Sequence, residues 1–578
     1  MRTTLLLSLI AMTACTNGSS GKSDPAGESR DSGAAAPDTG GDPDTGSEDG
    51  EPLYAPDRVL DVSIELAPDD WEVLRSETRN LIEMFSGDCY AEPFGSPYTW
   101  FAGTVTIDGE ELAPTDVRKK GFVGSLSSER PSLKLDFVEF DDDLNFEGAE
   151  RMTLNNAITD ESIIRQCIGY SLFDDAGVPA PRCNFATVEV NGEDLGVYVH
   201  LEPVKPAFLE RTFGDGDGDL YEGTLSDFSP DRIGTLEPKS NDESEDWSRV
   251  EALLAALDAE DDTLLEELDE VIDLDAFFTF WAMEVLVWHR DGYASNTNNF
   301  YIYADPTDGN RFHFIPWGVD DILRDNWRNF GSPYDSVFTS GRLAQRLYEH
   351  PEGQALYLAR LDELLATVWD EDALDARVDQ LVDVVEPLLD GGELRAFERG
   401  VTDVRRALRE RREVIEEARE DGPEETGPNL ELLTCAEDLG EYSASFATEW
   451  GTGSFANVLE EGSLELVLSI EEESFAFEQA GAIAYGDGGA AIILLEAQVP
   501  AGTRYTLYYE LWEGELEPSS KPMDLIQSAG YLLVSDDSAG LEYAFIGYLG
   551  GTLELVEAEA SRGAPIVGSI SGGIYTWE

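Results

Sequence analysis

One segment, residues 288–322, constrains the fold more than any other part of the chain. It reads WHRDGYASNTNNFYIYADPTDGNRFHFIPWGVDDI, and its apolar runs FYIY and FHFIPW predict the paired strands of a buried hairpin. The carboxylate and amide side chains that flank these runs are Asp291, Asn296, Asn298, Asn299, Asp320 and Asp321. Such oxygen ligands suit a hard divalent cation and phosphoryl transfer, although a polar turn beside a capped strand end gives the same pattern.

The residues that lead into this segment predict a buried helix. LDAFFTFWAMEVLVWH, residues 274–289, is apolar nearly all round but carries Asp275 and Glu284, which is typical of a core helix rather than a membrane span. Further helical patterns follow the segment as far as residue 420.

The part of the chain before these helices predicts an antiparallel sheet. Strand patterns such as RVLDVSIEL and WFAGTVTID alternate apolar and polar residues, and Asp108-Gly109 and Asn191-Gly192 are hairpin turn signals. A helix is predicted over residues 160–176. The run GDGDGDLYEG, residues 214–223, alternates aspartates like a calcium loop but lacks the spacing of an EF-hand, which favours an acidic turn.

The charge balance argues against one class of partner. The 578 residues hold 38 Lys and Arg against 119 Asp and Glu, a formal net charge of −81, so nucleic acid is not an expected partner. The acidity is spread along the chain, which fits either a strongly hydrated surface in salty surroundings or a lineage-wide composition.

The N-terminus predicts export. Residues 1–15 contain an apolar run and end in MTAC, which resembles a bacterial lipobox. This pattern predicts a lipoprotein signal peptide with lipidation of Cys15. Residues 16–55 are rich in Gly, Ser, Asp and Pro and predict a disordered acidic tether. The expected location is therefore extracytoplasmic, with membrane contact only through the lipid anchor of a bacterial surface protein.

The remaining cysteines predict disulfides in an oxidising compartment. If Cys15 is lipidated, Cys89, Cys167, Cys183 and Cys435 are left, and their three possible pairings stay open. Their spacing does not fit a zinc site. Residues 430–578 alternate or run apolar between Gly-rich turns, which predicts an all-β sandwich domain without a catalytic motif.

Four blocks of sequence, taken in order, resemble the spore-coat CotH kinase family. They are VRKKGFVGSLSSERPSLKLDF (117–137), the run from RMTLNN to VHLEP (151–203), DLYEG (219–223), and HRDGYASNTNNFYIY with FHFIPWGVDD (289–321). The resemblance covers residues 56–420 and implies an α+β fold, with a divergent two-lobed protein-kinase-like domain before the β-sandwich. It also implies ATP, with Mg²⁺ or Mn²⁺, as cofactors.

On the nucleotide side, the resemblance implies that Lys134 contacts phosphate and that Arg118 is a second contact. Gly121 and Gly124 would let the backbone approach the phosphates, although an ordinary hairpin turn also explains them. A solvent-facing edge-strand position is the alternative for Lys134. Two carboxylates could orient this lysine, Glu202 after the second hairpin and Glu161 on the predicted helix, and the sequence leaves both open.

On the catalytic side, the resemblance implies that Asp291 is the catalytic aspartate and that Asn296, five residues later, holds metal. Asn299 also matches, but could simply tie down the loop. The family block PWDxD reads PWGVDD here, so Gly318 replaces its first aspartate. Asp320 is the preferred metal carboxylate, with Asp321 as the alternative.

Two functions follow from these residues. The first is an extracytoplasmic atypical kinase that transfers the γ-phosphate of ATP to Ser or Thr of a cell-surface protein. The second is a surface-anchored pseudokinase or adhesin-like binding protein without transfer activity. The retained Asp291, Asn296 and Lys134 favour the first, whereas Gly318 and the C-terminal sandwich favour the second. The sequence does not identify the substrate, the metal or the oligomeric state.

Overall fold

The computed structural model describes residues 53–240, 247–324, 334–424, 434–471, 473–511, 516–536 and 541–577. The predicted signal peptide, Cys15 and most of the predicted tether lie outside these residues. Leu53 and Tyr54, at the end of the predicted tether, are buried, so the folded body begins before residue 56.

The α-helices are α1 Pro68–Ser76, α2 Leu81–Met84, α3 Arg165–Asp175, α4 Pro206–Phe213, α5 Ser248–Leu257, α6 Leu264–Asp269, α7 Leu274–Leu286, α8 Tyr293–Asn296, α9 Arg342–Glu349, α10 Pro351–Thr367, α11 Glu371–Val385 and α12 Gly391–Ala418. The strands before the C-terminal region are β1 Val59–Glu65, β2 Phe101–Ile107, β3 Glu110–Lys120, β4 Ser132–Asp136, β5 Arg151–Asn155, β6 Cys183–Val190, β7 Glu193–Leu201, β8 Leu220–Gly223, β9 Glu237–Pro238, β10 Phe300–Asp305 and β11 Arg311–Pro316. The strands of the C-terminal region are β12 Glu437–Glu449, β13 Ser463–Ile470, β14 Glu473–Ser474, β15 Gln479–Asp487, β16 Ala490–Gln498, β17 Arg504–Leu511, β18 Ser519–Pro522, β19 Ser528–Asp536, β20 Leu541–Leu549, β21 Thr552–Glu557 and β22 Pro565–Thr576.

The first seven strands form a closed barrel in the order β1-β2-β3-β4-β5-β7-β6. The predicted turns at Asp108-Gly109 and Asn191-Gly192 join β2 to β3 and β6 to β7, and all four residues have positive φ. The predicted antiparallel sheet is present, because β1, β2, β3 and β4 pair antiparallel in turn, and the barrel closes where β1 also pairs parallel to β6. Alternation along β1 directs Leu60, Val62 and Ile64 into the barrel core.

Helix α7 is the centre of the second core, as its sequence predicts. Its residues from Phe277 to Leu286 are buried, and Phe277 packs against Phe314 of β11 with ring centroids 4.8 Å apart. Strands β10 and β11 form the predicted hairpin, in a sheet of order β11-β10-β8-β9. Among the described helices, none combines the length and the hydrophobicity needed to cross a bilayer.

The C-terminal region, residues 434–577, consists mainly of one antiparallel eleven-stranded sheet, which we call the β domain. The sheet folds over so that β12 and β13 contact β15, and its two halves enclose one apolar core. Together with the barrel and the helices, this β-rich region confirms the α+β fold class. An ordinary sandwich has two separate sheets, whereas here hydrogen-bonded strands join the two halves into a single sheet.

Two disulfides settle the pairing that the sequence left open. Cys167 on α3 bonds to Cys183 on β6, and Cys89 bonds to Cys435 across a sequence separation of 346 residues. The second disulfide joins the segment after α2 to the start of the β domain. Such a long loop restricts the unfolded chain strongly, and losing one disulfide typically costs about 2–5 kcal/mol.

Candidate active site

The loop that carries Asp291 is anchored to the core helix. The carboxylate of Glu284, on α7, accepts hydrogen bonds from the backbone N–H groups of Tyr293 and Ala294, both at 2.8 Å. Burial raises the pKa of Glu284 to about 8, although both bonds oppose that rise. A Cβ on Gly292 would lie 2.2 Å from the Glu284 carboxylate, so a glycine is required there. The two hydrogen bonds to Glu284 fix the position of the loop relative to the core.

Three asparagine side chains hold the carboxylate of Asp291. Asn296 and Asn298 donate to its Oδ1 at 2.6 and 3.1 Å, and Asn299 donates to its Oδ2 at 2.7 Å. Burial raises the pKa of Asp291, the asparagines oppose that rise, and the charge of Asp320 adds to it. Since a carboxylate oxygen can accept two hydrogen bonds, Oδ2 keeps capacity for one more donor or for a metal ion.

The end of β11 shows why position 318 is a glycine. Gly318 has a φ of +54°, and a Cβ there would lie 2.4 Å from both Cγ and Oδ1 of Asn299. Asn299 is itself fixed, because it bonds to Asp291 and its carbonyl accepts the Trp317 N–H at 3.0 Å. In this chain the carboxamide of Asn299 therefore fills the space that a side chain at position 318 would enter.

Asp320 and Asp321 lie in a short 3-10 turn directly after Gly318. Thr159 donates to Asp320 Oδ2 at 3.1 Å, and burial raises the pKa of Asp320. Burial also raises the pKa of Asp321 to about 7; Arg324, whose Nε lies 2.7 Å from Asp321 Oδ1, opposes the rise, and the charges of Asp320 and Asp291 add to it. The three aspartates therefore share one electrostatic environment.

A second set of charged residues, which we call the barrel wall, comes from the barrel and includes Lys134. This lysine is on β4, in register with Arg118 on β3. Burial lowers the pKa of Lys134 to about 7, against the attraction of Glu222 on β8. Burial alone would raise the pKa of Glu222, but Lys239 and Lys134 together bring it below its usual value. Lys239 Nζ lies 2.8 Å from Glu222 Oε2 and is its ion-pair partner.

A second lysine of the same wall faces the aspartates. Lys120, at the end of β3, donates to the side chain of Asn155 and lies 5.9 Å from the Trp317 ring centroid. Burial lowers its pKa to about 8, and its strongest attraction is to Asp320. Lys120 therefore links the basic wall electrostatically to the acidic loop.

The other predicted phosphate contacts lie around the β3–β4 loop. Arg118 donates to Ser96 Oγ at 2.5 Å and lies 4.7 Å from the Trp100 ring centroid. Gly121 has a φ of +133°, and its carbonyl accepts a hydrogen bond from the Tyr98 hydroxyl at 2.9 Å. Gly124 has open space around its Cβ position. Both glycines thus lie in one loop that follows Lys120.

The prediction that Glu202 or Glu161 orients Lys134 is wrong. Both carboxylate oxygens of Glu202 are engaged, by Arg182 at 2.8 Å and by Arg211 at 2.7 Å. Glu161 is exposed and lies 3.4 Å from Arg399. The carboxylate whose charge acts most strongly on Lys134 is Glu222. It belongs to the DLYEG block, whose place in the resemblance was the sequence signal available for it.

The donor set has the ligand chemistry that a hard divalent cation needs, although Asp291, Asp320 and Asp321 do not bring three ligand atoms within 4.8 Å of one another and Asp321 pairs with Arg324. Asp291, Asp320 and Asp321 supply carboxylate oxygens, and Asn296 supplies an amide oxygen beside Asp291. Oxygen ligands of this kind are what Mg²⁺ and Mn²⁺ prefer. Because the raised pKa values of the three aspartates reflect burial and mutual repulsion, a bound cation would favour their charged forms.

A second acidic group lies at the far end of the β10–β11 hairpin. Asp273, Asp308 and His313 bring ligand atoms within 4.8 Å of one another. Arg311 pairs with Asp308 at 2.8 Å and with Asp273 at 3.4 Å. Because an arginine already neutralises these carboxylates, the arrangement is explained as an ion-pair network.

Comparisons with known proteins agree with the sequence blocks. A family model described as "CotH kinase protein" matches residues 117–419. The chain is 23% identical over 265 residues to the inner spore coat protein H of Bacillus subtilis (strain 168), covering 44% of this chain and 72% of that protein. It is 22% identical over 260 residues to the invasin CotH2 of Rhizopus delemar, covering 40% of this chain and 43% of that protein, less than half its length.

One solved structure is a more distant likeness. The proinflammatory kinase CtkA of Helicobacter pylori aligns with 10% identity and a TM-score of 0.27, over 50% of this chain and 94% of that one. At this score the likeness carries no argument about the site.

Proposed function

The chain belongs to the CotH kinase protein family, and from that premise we propose that this kinase-like protein transfers the γ-phosphate of ATP to serine or threonine of a protein substrate. The observation that supports the proposal is that the basic residues of the barrel adjoin the acidic residues beside the β10–β11 hairpin, since the strongest attraction on Lys120 comes from Asp320. Asp291 is held by three amides beside the hairpin, and the charge of Glu222, on β8 of the hairpin sheet, acts on Lys134 of the barrel. Phosphoryl transfer needs both a positioned carboxylate and phosphate-binding cations.

Asp291 is the proposed base. Its Oδ2 accepts and orients the hydroxyl of the substrate, which attacks the γ-phosphorus; the bond to the bridging oxygen breaks and ADP leaves. The hydroxyl proton passes to Asp291, and the raised pKa of this carboxyl favours taking it up. Asn296, Asn298 and Asn299 keep the carboxylate in place during the transfer.

Lys134 and Lys120 are the proposed phosphate contacts of the barrel wall. Their lowered pKa values reflect burial among few compensating charges, and phosphate oxygens would restore the charged form. The charge of Glu222 attracts Lys134. Arg118 is a further candidate contact, from the strand beside Lys134.

Asp320 and Asn296 are the proposed metal ligands, with Asp321 beside them. A bound Mg²⁺ or Mn²⁺ would neutralise charge on the phosphates. Asn299 is compatible with this site only because residue 318 lacks a side chain.

The protein is proposed to act outside the cytoplasm, anchored by a lipid on Cys15. The lipobox-like N-terminus and the spore-coat and invasin names of two relatives support this location. The substrate is then a surface protein, and the strongly acidic chain makes nucleic acid an unsuitable partner.

One observation favours the second candidate, a binding protein without transfer activity. Gly318 removes the first carboxylate of the family block, which reduces the charge available to hold a metal. A pseudokinase would still bind nucleotide through Lys134 but would transfer nothing.

The test is transfer of γ-labelled phosphate by the purified protein, to itself and to a serine/threonine peptide library, with Mg²⁺ or Mn²⁺. Asp291→Asn and Asp320→Asn are expected to lose label, by about 100-fold or more for Asp291. Asp383→Asn, an exposed site on α11, is the matched control and should keep full transfer. Equal label in all four proteins would overturn the kinase assignment, and nucleotide binding without label in any of them would favour the pseudokinase.

A further inference from the structure

Residues 78–98, which we call the insert, connect α1 to β2 and lie before the family match begins at residue 117. The β domain lies after that match, which ends at residue 419. The matched family model therefore covers neither of these two parts. In the structure they contact each other and, through the insert, the loop that carries Gly121 and Gly124.

The insert is fastened to the β domain by covalent, polar and apolar contacts. Cys89 bonds to Cys435, the Leu81 N–H donates to the Asp524 carbonyl at 3.0 Å, and the Ala436 N–H donates to the Phe85 carbonyl at 2.5 Å. One apolar cluster contains Leu81, Ile82, Phe85, Cys89 and Tyr90 of the insert, Val123 and Leu225, and Leu525, Ile526, Ala529 and Tyr548 of the β domain. A buried cluster of this size holds the two parts in one arrangement.

The other side of the insert holds the β3–β4 loop. The Tyr98 hydroxyl and Arg79 Nε both donate to the Gly121 carbonyl, at 2.9 and 3.3 Å. The Arg79 guanidinium lies 4.7 Å from the ring centroid of Phe122, and Phe94 packs edge-on against the same ring at 5.6 Å. Every one of these contacts restrains the backbone between Gly121 and Phe122.

The insert also reaches the strand beside Lys134. Arg118 Nη1 donates to Ser96 Oγ at 2.5 Å, and the guanidinium lies against Trp100 just beyond the insert. The insert therefore positions both the β3–β4 loop and Arg118, a basic side chain of the barrel wall.

We propose that the insert and the β domain act together as a brace for the nucleotide site, holding the β3–β4 loop and Arg118 in the arrangement that binds phosphate. The inference rests on the proposed function, since it gives the β domain a role in that same site. Tyr98 and Arg79 are positioning residues, because they act on Gly121 and not on the substrate. Coupling between such parts typically changes ligand affinity by about 5–150-fold.

The test combines hydrogen–deuterium exchange of residues 121–126 with ATP affinity, measured by calorimetry on the full chain. Tyr98→Phe removes one hydroxyl and should leave the fold intact, while Cys89→Ser with Cys435→Ser removes the covalent link between the insert and the β domain. Both proteins are expected to show faster exchange in the loop and about tenfold weaker ATP binding. Tyr543→Phe, which loses a hydroxyl bond to Glu496 within the β domain, is the matched control and should change neither quantity.

The two readouts separate this inference from the proposed function. Unchanged loop exchange and unchanged ATP affinity in both variants would overturn the brace. Faster loop exchange supports it even if the unaltered protein binds no ATP, in which case only the kinase assignment fails.

Discussion

The candidate site has two walls that differ in charge and in origin. One is the barrel wall; the other, which we call the hairpin wall, consists of the loop that carries Asp291 and the turn after β11. The barrel wall carries Lys134 and Lys120, whose pKa values fall to about 7 and about 8 because burial disfavours their charge. The hairpin wall carries Asp291 and Asp320, whose pKa values rise for the same reason. Each wall therefore has unfavourably buried charge of one sign, which a metal-bound polyphosphate could complement on both sides at once.

The walls also differ in how they are supported. The hairpin wall is held to the core helix by the hydrogen bonds that Glu284 accepts, and these residues lie within the part of the chain that the family match covers. The barrel wall is held partly from outside that region, by the insert and the β domain. The comparison implies that substitutions on the hairpin wall affect catalysis, whereas those behind the barrel wall affect nucleotide affinity.

The largest effect is expected from Lys134→Met, which removes the buried cation of the barrel wall. Methionine keeps the length of the side chain, so we expect transfer to fall about 100-fold with little loss of stability. Steady-state rates with labelled ATP check this. Lys521→Met, on the β domain, is the control, and equal rates in both variants would mean that Lys134 faces no phosphate.

The pH dependence of nucleotide binding gives a second test of the barrel wall. Lys134 is protonated below its pKa of about 7 and loses charge above it. Above that pH, binding of ATP to the charged form of Lys134 would therefore require uptake of a proton from the solvent. We expect the affinity for metal-free ATP to fall toward about tenfold per unit between about pH 7.5 and 9. Calorimetry of Lys134→Met should show weak binding with a flatter profile, and the same slope in both proteins would contradict this role.

Gly318→Asp tests the hairpin wall by restoring the family carboxylate. Because its Cβ would overlap Asn299, we expect Asp291 to lose an anchoring bond and transfer to fall about tenfold. Adding Asn299→Gly removes the overlap but also the side chain that anchors Asp291, so we expect no further fall in the double variant. Gly309→Asp matches the positive φ but has no atom near its Cβ position, so it controls for backbone strain alone. A fully active Gly318→Asp protein would refute the steric coupling.

A smaller effect is expected behind the hairpin wall, at Glu284. Its pKa of about 8 exceeds the ordinary value of 4.5, so its contribution to stability is full below pH 4.5 and is lost as the pH rises through about 8. Glu284→Gln should lower the free energy of unfolding by about 1–2 kcal/mol at pH 5 and remove that part of the pH slope. Urea unfolding at pH 5 and pH 8 measures both, and an unchanged slope would contradict the raised pKa.

Local patterns predicted the hairpin and the core helix well. The runs FYIY and FHFIPW become β10 and β11, and the apolar helix is buried as its sequence predicts, because these segments pair with near neighbours. The closing of the barrel by β1 and β6 was not predictable in this way. It joins residues such as Val59 and Phe185, which are distant in sequence.

The candidate site was predictable only in part. The short loop that carries Asp291 and Asn296 could be read from its spacing, and the structure brings those side chains to 2.6 Å. The carboxylate that acts on Lys134 could be placed only within the DLYEG block, because its surroundings depend on the register of β8 against β10, which sets Glu222 opposite Tyr301. Sequence order likewise gave no way to choose among cysteine pairings.

The most direct test of the two-wall account is the effect of Asp320→Asn on ATP binding with and without Mn²⁺, measured by calorimetry. Removing this carboxylate lessens repulsion of free ATP but removes a metal ligand. The account predicts opposite signs, with tighter binding of metal-free ATP and weaker binding of the Mn²⁺ complex. A change of the same sign in both titrations, or none in either, would contradict the claim that the two walls bind one metal–nucleotide complex.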